Sequence, residues 1–248
     1  MEVKVFVGDY ISAMQELRSE GYSPMTVQDV AKKRLEVLAS GNKKKTSQFW
    51  DISQNTTSAV AYFKDEIKII PNCEILTNID YDAEILNGAL VLTEDQYKQL
   101  PGKTFKHSEL MTNTQMTRID RAKAHPVLQE LLGDDLEPYV DASFDQVKER
   151  HYTDKALGVF IADSEDVPTV RSWCVDSLNY IDGWSVLYGY NDLYYDTHLV
   201  GVRGVEEDAE GVAQNFEGAE QILAAIQAGK KFEFGGKVYV PVEKDALE

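Results

Sequence analysis

The first forty residues change from a strand-like to a helix-like hydrophobic pattern. Residues 3–7 alternate apolar and polar positions, which predicts a short strand. Apolar residues then recur at helical spacing over residues 11–17, before Gly21. A second helix is predicted from Thr26, whose hydroxyl can cap the first turn together with Asp29. Its exposed side is predicted to be basic, with Lys32, Lys33 and Arg34 on it.

The pattern returns to that of strands after residue 48. Residues 49–52, 58–63 and 67–70 are predicted as strands, and the last two form a natural hairpin around Lys64 to Glu66. Residues 89–92 are a further candidate strand, whereas residues 103–152 are mostly helical in pattern.

The stretch from Leu157 to Gly204 is rich in aromatic residues and predicts a second sheet. Within this stretch a central hairpin is predicted, in which residues 184–190 pair with residues 193–203 around a turn at Asn191-Asp192. In that register Tyr188 faces Tyr195 on an apolar face, and Ser185, Asp196 and His198 lie on the polar face.

Together these elements predict an α+β fold with two mostly antiparallel β-sheets, covered by helices and joined by a helical segment. The first predicted domain, residues 1–105, contains two helices and hairpins. The second, residues 106–248, starts with the helical connector and continues with the aromatic-rich sheet. An amphipathic helix at residues 216–226 and a C-terminal hairpin at residues 232–240 complete it.

Composition favours a folded, soluble protein. Hydrophobic residues make up 43% and charged residues 27% of the chain, and no apolar run approaches the roughly 20 residues that a membrane span needs. The start of the chain does not resemble a signal peptide, so a cytoplasmic location is expected. Cys73 and Cys174 lie in unlike contexts, which favours buried thiols over a disulfide.

The net charge of −17 is unevenly distributed: residues 1–50 carry +2, residues 51–150 carry −8 and residues 151–248 carry −11. An anionic surface repels phosphates, so direct binding of nucleic acid or of an anionic membrane is not expected. The cationic run Asn42–Lys45 is interpreted as a solvated loop.

Catalytic candidates are few. Ser185 and His198, with Asp196 nearby, suggest a hydrolytic triad. However, Asp196 and His198 would stand side by side on one strand face and Ser185 would lie in mid-strand, which favours an ordinary polar face instead. Cys174 lies in an apolar strand pattern, where a thiol is inert.

Metal binding is the second chemical candidate. Asp196 and His198 could project two ligands to one side, with further acids at Asp163, Glu165, Asp166 and Asp182, and such a set could hold Mn²⁺, Fe²⁺ or Zn²⁺. Two ligands on one strand are too few to form a metal site. No cofactor is therefore predicted, and a divalent metal remains an alternative.

Binding is the leading functional hypothesis. Tyrosines beside carboxylates bind cations and are enriched at protein interfaces, and the candidate surface residues are Tyr180, Tyr194, Asp182 and Asp196. The acidic C-terminal half is expected to engage a basic protein surface or a cationic ligand, with nucleic-acid mimicry as one version. A metal-assisted hydrolase using Asp196 and His198 is the alternative, and a structural component in an assembly is a third.

Overall fold

The computed structural model of the chain describes residues 2–111, 117–151, 156–163, 165–177, 186–189, 191–204, 232–234 and 237–239. The strands up to residue 203 are β1 (Glu2–Gly8), β2 (Ser23–Pro24), β3 (Gln54–Phe63), β4 (Glu66–Ile70), β5 (Ile85–Leu86), β6 (Ala89–Val91), β7 (Lys103–Lys106), β8 (Gly158–Phe160), β9 (Thr169–Val175), β10 (Val186–Tyr188) and β11 (Thr197–Arg203). The helices are α1 (Tyr10–Ser19), α2 (Val27–Ala39), α3 (Lys43–Trp50), α4 (Glu74–Thr77), α5 (Glu94–Gln99), α6 (His107–Met111), α7 (Ile119–Lys123), α8 (Pro126–Leu132) and α9 (Leu136–His151), and a 3₁₀ turn spans Gly133–Asp135.

One large sheet organises these elements. Its main order is β1-β11-β3-β9-β10-β8, and β4 and β7 extend it from β3, while β6 and β5 extend it from β9. Most pairs are antiparallel, but β11 is parallel to β3 and β10 is parallel to β8. The predicted mixture of helices and sheet is confirmed, whereas the two predicted sheets are one within residues 2–203.

The chain divides into two compact units, residues 1–203 and residues 204–248, rather than at residue 105. The reason is strand pairing across the predicted boundary. Residues 2–8 pair with residues 197–203, and β3 pairs with β9. Segments from both halves therefore build the same sheet.

Local sequence signals determine several helix starts. Thr26 and Asp29 form the predicted reciprocal capping box at α2, and Asp9, for which no cap was predicted, caps α1. By contrast, residues 49–52 are not a strand: Asn42 caps α3, and that helix continues through Trp50. The cationic run is thus the first turn of a helix and not a loop.

The predicted hairpin around Asn191-Asp192 is wrong. Residues 186–188 pair with β8 and β9, and residues 197–203 pair with β1, β2 and β3. Tyr195, predicted to face Tyr188 in the core, is exposed instead. The strand β11 pairs with β1, which is far from it in the sequence, and no local turn signal indicates this pairing.

The sheet has a hydrophobic core on each face. One core lies beneath α1 and includes Phe6, Leu17 and Leu199, and the other lies beneath α2, α8 and α9 and includes Trp50 and Trp173. Helix α9 buries Tyr139, Val140 and Val147, as its pattern predicts.

Arg34 is fully buried in the second core, which contradicts its predicted place on the exposed side of α2. Its guanidinium donates hydrogen bonds to the carbonyls of Phe49 (2.9 Å) and Asp176 (3.0 Å) and to the Tyr139 hydroxyl (3.0 Å). These acceptors compensate the desolvation of the buried charge and tie α2 to the end of β9.

The strands of the second unit are β12 (Phe232–Phe234) and β13 (Lys237–Tyr239), which pair as the predicted hairpin. Their register, with Phe234 opposite Lys237, was not predicted. The predicted helix at residues 216–226 lies outside the described residues. Within the described part of the chain, no helix combines the length and the apolar character that a bilayer crossing demands.

Candidate functional site

The loop of residues 191–196, which joins β10 to β11, is anchored by one buried residue. Leu193 is buried against the α1 side of the sheet. Its N–H donates to the Gly88 carbonyl (2.9 Å), and its own carbonyl accepts from the Tyr10 N–H (3.1 Å). Both backbone groups of the central residue are therefore paired, which fixes the path of the loop.

A second contact comes from the β5–β6 turn. Asn87 and Gly88 both have positive φ angles, 50° and 77°, as the two central residues of a type I′ hairpin turn require. Asp192 lies against this turn, and its Oδ1 accepts the Tyr194 N–H at 2.8 Å. The carboxylate thus orders the residues that follow it.

Arg171 of β9 lies beneath this turn and is almost fully buried. Its Nη2 donates to the Asn87 carbonyl (2.6 Å), its Nη1 donates to the Asn191 carbonyl (3.5 Å), and Glu165 lies 3.6 Å from Nη2. One guanidinium therefore links the β5–β6 turn, the 191–196 loop and the segment before β9.

Asn191 is also tied to the sheet. Its Nδ2 donates to Asn55 Oδ1 (2.7 Å), which also accepts the Ser172 hydroxyl (3.3 Å). The side-chain amide of Asn191 is held in one orientation, because only its NH₂ group can donate to Asn55 Oδ1.

The opposite wall is held by Tyr62. Its hydroxyl donates to the Gly189 carbonyl (2.7 Å) and accepts the Ala162 N–H (3.0 Å). Burial raises the pKa of this phenol, so the hydroxyl stays protonated. Phe160 and Tyr188 stack on the same wall with ring centroids 5.5 Å apart.

These walls enclose an open cleft of about 660 Å³, which we call the loop cleft. Its described lining residues are Asn87, Ile161, Ala162, Asp163, Arg171, Tyr188, Asn191, Asp192 and Tyr195. Carboxylates, amides, a guanidinium and phenol rings converge here. Such a surface can hydrogen-bond a polar ligand and attract a cationic one.

Two tyrosines stand out beside the loop cleft. Tyr194 is 59% exposed and Tyr195 is 72% exposed, and Asp196 next to them is also exposed. The loop beneath them is anchored by Leu193. Large rings therefore project into solvent from a rigid support, an arrangement common at protein interfaces.

The predicted catalytic and metal residues do not form a described centre. His198 is half-buried on β11 opposite Val7, and Asp196 precedes that strand. Across the described ranges, no three His, Cys, Asp or Glu side chains are close enough together to hold a metal ion. Ser185, Tyr180 and Asp182 lie outside the described residues, so the triad and two of the four partner-surface positions stay predictions.

Both cysteines are buried and free. Burial, with a smaller effect of the Asp176 carboxylate, raises the pKa of the Cys174 thiol to about 12. Burial also raises the pKa of Cys73. Neither thiol is a nucleophile at neutral pH, because the reactive thiolate is disfavoured.

Sequence reasoning missed Asn87 and Arg171. The dipeptide Asn87-Gly88 is a hairpin-turn signal, but its place beside the 191–196 loop depends on pairing between β6 and β9. Arg171 is the single cation in an otherwise uncharged strand, and such a residue must find acceptors if it is buried. That rule could have indicated a structured polar site.

No family model matches the chain, and no curated protein matches it. In fold it is similar to a solved nanoarchaeal protein. The description of that protein concerns how the C-type lectin fold accommodates massive sequence variation in Nanoarchaeota. The two chains are 18% identical and superpose with a TM-score of 0.64, over 82% of this chain and 98% of the other. The similarity identifies the architecture as that of the C-type lectin fold.

Proposed function

We propose that this chain is a binding protein whose 191–196 loop and loop cleft engage a basic protein surface or a cationic ligand. The observation that carries the proposal is the pair of exposed rings, Tyr194 and Tyr195, on a loop anchored by buried Leu193.

Preorganisation is the first supporting argument. Ordering a flexible loop on binding costs about 0.5–1.5 kcal/mol for each immobilised side chain, and that cost is reduced when the loop is already held. Here Leu193 is bonded to Gly88 and Tyr10, and Asp192 is bonded to Tyr194. Contacts made by the two rings therefore contribute to affinity with little ordering of the backbone.

Charge is the second argument. Asp163 and Asp192 line the loop cleft, and exposed Asp196 follows Tyr195 in the sequence, whereas Arg171 is buried and hydrogen-bonded to Asn87 and Asn191. A lysine or arginine of a partner would meet exposed Asp163 and Asp196 and half-buried Asp192, together with tyrosine rings, which attract cations through their quadrupoles.

The fold is compatible with this role. The nanoarchaeal protein shows that a C-type lectin fold accommodates massive sequence variation. In this chain the exposed loop residues are held by backbone hydrogen bonds and one buried leucine, so the exposed side chains are free to set what is bound.

An array of basic, neutral and acidic peptides, probed with the purified full chain, tests the proposal. Basic peptides should be retained preferentially, and their binding should weaken as ionic strength rises. The double variant Tyr194→Ala with Tyr195→Ala should lose at least about tenfold in affinity, since interface aromatic residues are frequent hot spots.

The chain offers a matched control for the tyrosine rings and another for the carboxylates. Tyr81, which is 71% exposed outside the loop, controls for loss of an exposed tyrosine, and Asp95, exposed on α5, controls for loss of a carboxylate. Tyr81→Ala and Asp95→Asn should bind as the wild type does, whereas Asp192→Asn and Asp196→Asn should bind basic peptides more weakly. Retention that ignores peptide charge, or equal loss in Tyr81→Ala, would contradict the proposal.

A further inference from the structure

A second cavity lies on the sheet face that α2 and α3 cover, on the side of β1 and β11. It has a volume of about 460 Å³, within the range of about 300–1,000 Å³ that small-molecule sites occupy. Its apolar lining is Val3, Val5, Val37, Phe49, Ile52 and Val200. We call it the valine pocket.

Strand register explains why this space is apolar. Val5 pairs with Val200 and Val3 pairs with Val202, so the side chains of each pair emerge on the same face of the sheet. Phe6 and Leu199, which are adjacent to Val5 and Val200 in the sequence, face the other core beneath α1. The valine pocket is therefore bounded by a two-strand apolar wall and by the α2–α3 pair.

One buried polar side chain, from β3, also lines the valine pocket. Gln54 is only 1% exposed, and it lines the valine pocket. Its Nε2 donates to the Phe49 carbonyl at 2.9 Å, which fixes the amide orientation, while its Oε1 has no hydrogen-bond partner among the described residues. An unpaired buried acceptor is unfavourable, so a ligand that donates a hydrogen bond to it removes part of that cost.

The mouth carries lysines. Lys33 and Lys45 line it, with Glu36 bound to Lys33 at 2.8 Å, and Lys43 and Lys44 lie beside Lys45 at the start of α3. Because Glu36 is occupied by Lys33, Lys45 gives the mouth a positive charge. The run Asn42–Lys45 carries three lysines and no acid, in a chain whose net charge is −17.

From these three features we infer that the valine pocket binds a small amphipathic carboxylic acid. Its apolar body contacts the valines, a donor at its inner end reaches Gln54 Oε1, and its carboxylate lies near Lys45. The site shares no lining residue with the loop cleft among the described residues, so it is independent of the proposed function.

Titration calorimetry with 10-hydroxydecanoate, decanoate and 1,10-decanediol, kept below micellar concentrations, separates the contributions of the apolar lining, of Gln54 and of Lys45. The hydroxy acid should bind about tenfold more tightly than decanoate, because only its hydroxyl can donate to Gln54. The diol should bind more weakly than the hydroxy acid, and added salt should remove that difference.

Matched variants locate the site. Gln54→Met should abolish the preference for the hydroxy acid, and Lys45→Gln should weaken both acids, whereas Lys44→Gln should not. If Gln54→Met does not fold, Val5→Trp replaces it: Val5 is 42% exposed at the pocket, and a tryptophan there should block binding. Val7→Trp is its control, because Val7 is 62% exposed and does not line the pocket.

Two results would overturn the inference. The first is the absence of saturable binding of 10-hydroxydecanoate to the wild-type chain. The second is binding that survives Val5→Trp or that shows the same hydroxyl preference in Gln54→Met.

Discussion

The carboxylate of Asp192 rests on the backbone of Gly88. A Cβ atom added to Gly88 would lie 2.3 Å from Asp192 Cγ and 2.4 Å from its Oδ1, far inside van der Waals contact. Gly88 also has a φ angle of 77°, which side-chain-bearing residues adopt at a cost. The β5–β6 turn and the 191–196 loop can therefore pack this closely because Gly88 has no side chain.

Gly88→Ala should displace Asp192 and with it the exposed tyrosines. We expect a loss of about 1–2 kcal/mol in the free energy of unfolding, from the left-handed backbone, and a further loss of affinity for basic peptides. Urea unfolding and the peptide array measure the two effects. Gly41→Ala is a suitable control, since Gly41 has a φ angle of 65° but no atom within 4 Å of its added Cβ. Equal peptide binding by the two variants would show that Gly88 does not position the loop.

Tyr62→Phe should weaken the wall of the loop cleft formed by Ala162 and Gly189. The substitution removes only the hydroxyl, which leaves the Gly189 carbonyl and the Ala162 N–H without this partner. We expect a loss of about 1–3 kcal/mol in the free energy of unfolding. Hydrogen exchange should report faster exchange of the Ala162 amide. An unchanged exchange rate at Ala162 would mean that this hydrogen bond does not hold the wall.

Arg34→Met should be strongly destabilising although methionine fits an apolar core. The buried carbonyls of Phe49 and Asp176 and the Tyr139 hydroxyl would lose a charged donor. We expect a loss of at least about 2 kcal/mol in the free energy of unfolding, measured with urea. Arg18→Met, on the exposed side of α1, should change stability by less than about 0.5 kcal/mol. Similar stabilities for the two variants would show that the Arg34 hydrogen bonds contribute little.

Cys174 should make the chain less stable at alkaline pH. Its folded pKa of about 12 lies above its ordinary value of 9.0, so the folded state retains a proton that the unfolded state releases. The corresponding stability is complete below about pH 9 and is lost between about pH 9 and pH 12, at up to about 1.4 kcal/mol for each pH unit. Cys174→Ala should therefore lose about 1 kcal/mol less than the wild type between pH 8 and pH 10, as measured by urea unfolding. Parallel pH dependences in the two proteins would contradict this expectation.

Elements defined by nearby residues could be predicted from the sequence. The capping box of Thr26 and Asp29, the β3–β4 hairpin and the buried face of α9 all depend on contacts within a few residues along the chain. Even Arg34 could have been placed correctly, since it lies three positions after Ala31 and three before Val37, on the buried side of α2.

The arrangement of the sheet could not be predicted in the same way. The pattern around Asn191-Asp192 is compatible with a hairpin, but β11 pairs instead with β1, almost two hundred residues earlier in the sequence. The loop cleft has the same origin, because Asn87, Asp163, Arg171 and Asn191 come from segments that only the folded sheet brings together. The exposure of Tyr194 was expected from the sequence, whereas its neighbour Tyr195 was placed in the core by the wrong register.

The pairing of β1 with β11 has a consequence for the rate of folding. Almost two hundred residues separate these two strands, and Arg203 binds Glu2 across them through Nη2 and Oε2 at 2.6 Å. A contact of such long sequence separation requires the closure of a long loop before it is made, and folding slows as contacts of this kind become more numerous. The neighbouring strands β3 and β4, which a short turn connects, should therefore pair before β1 joins β11.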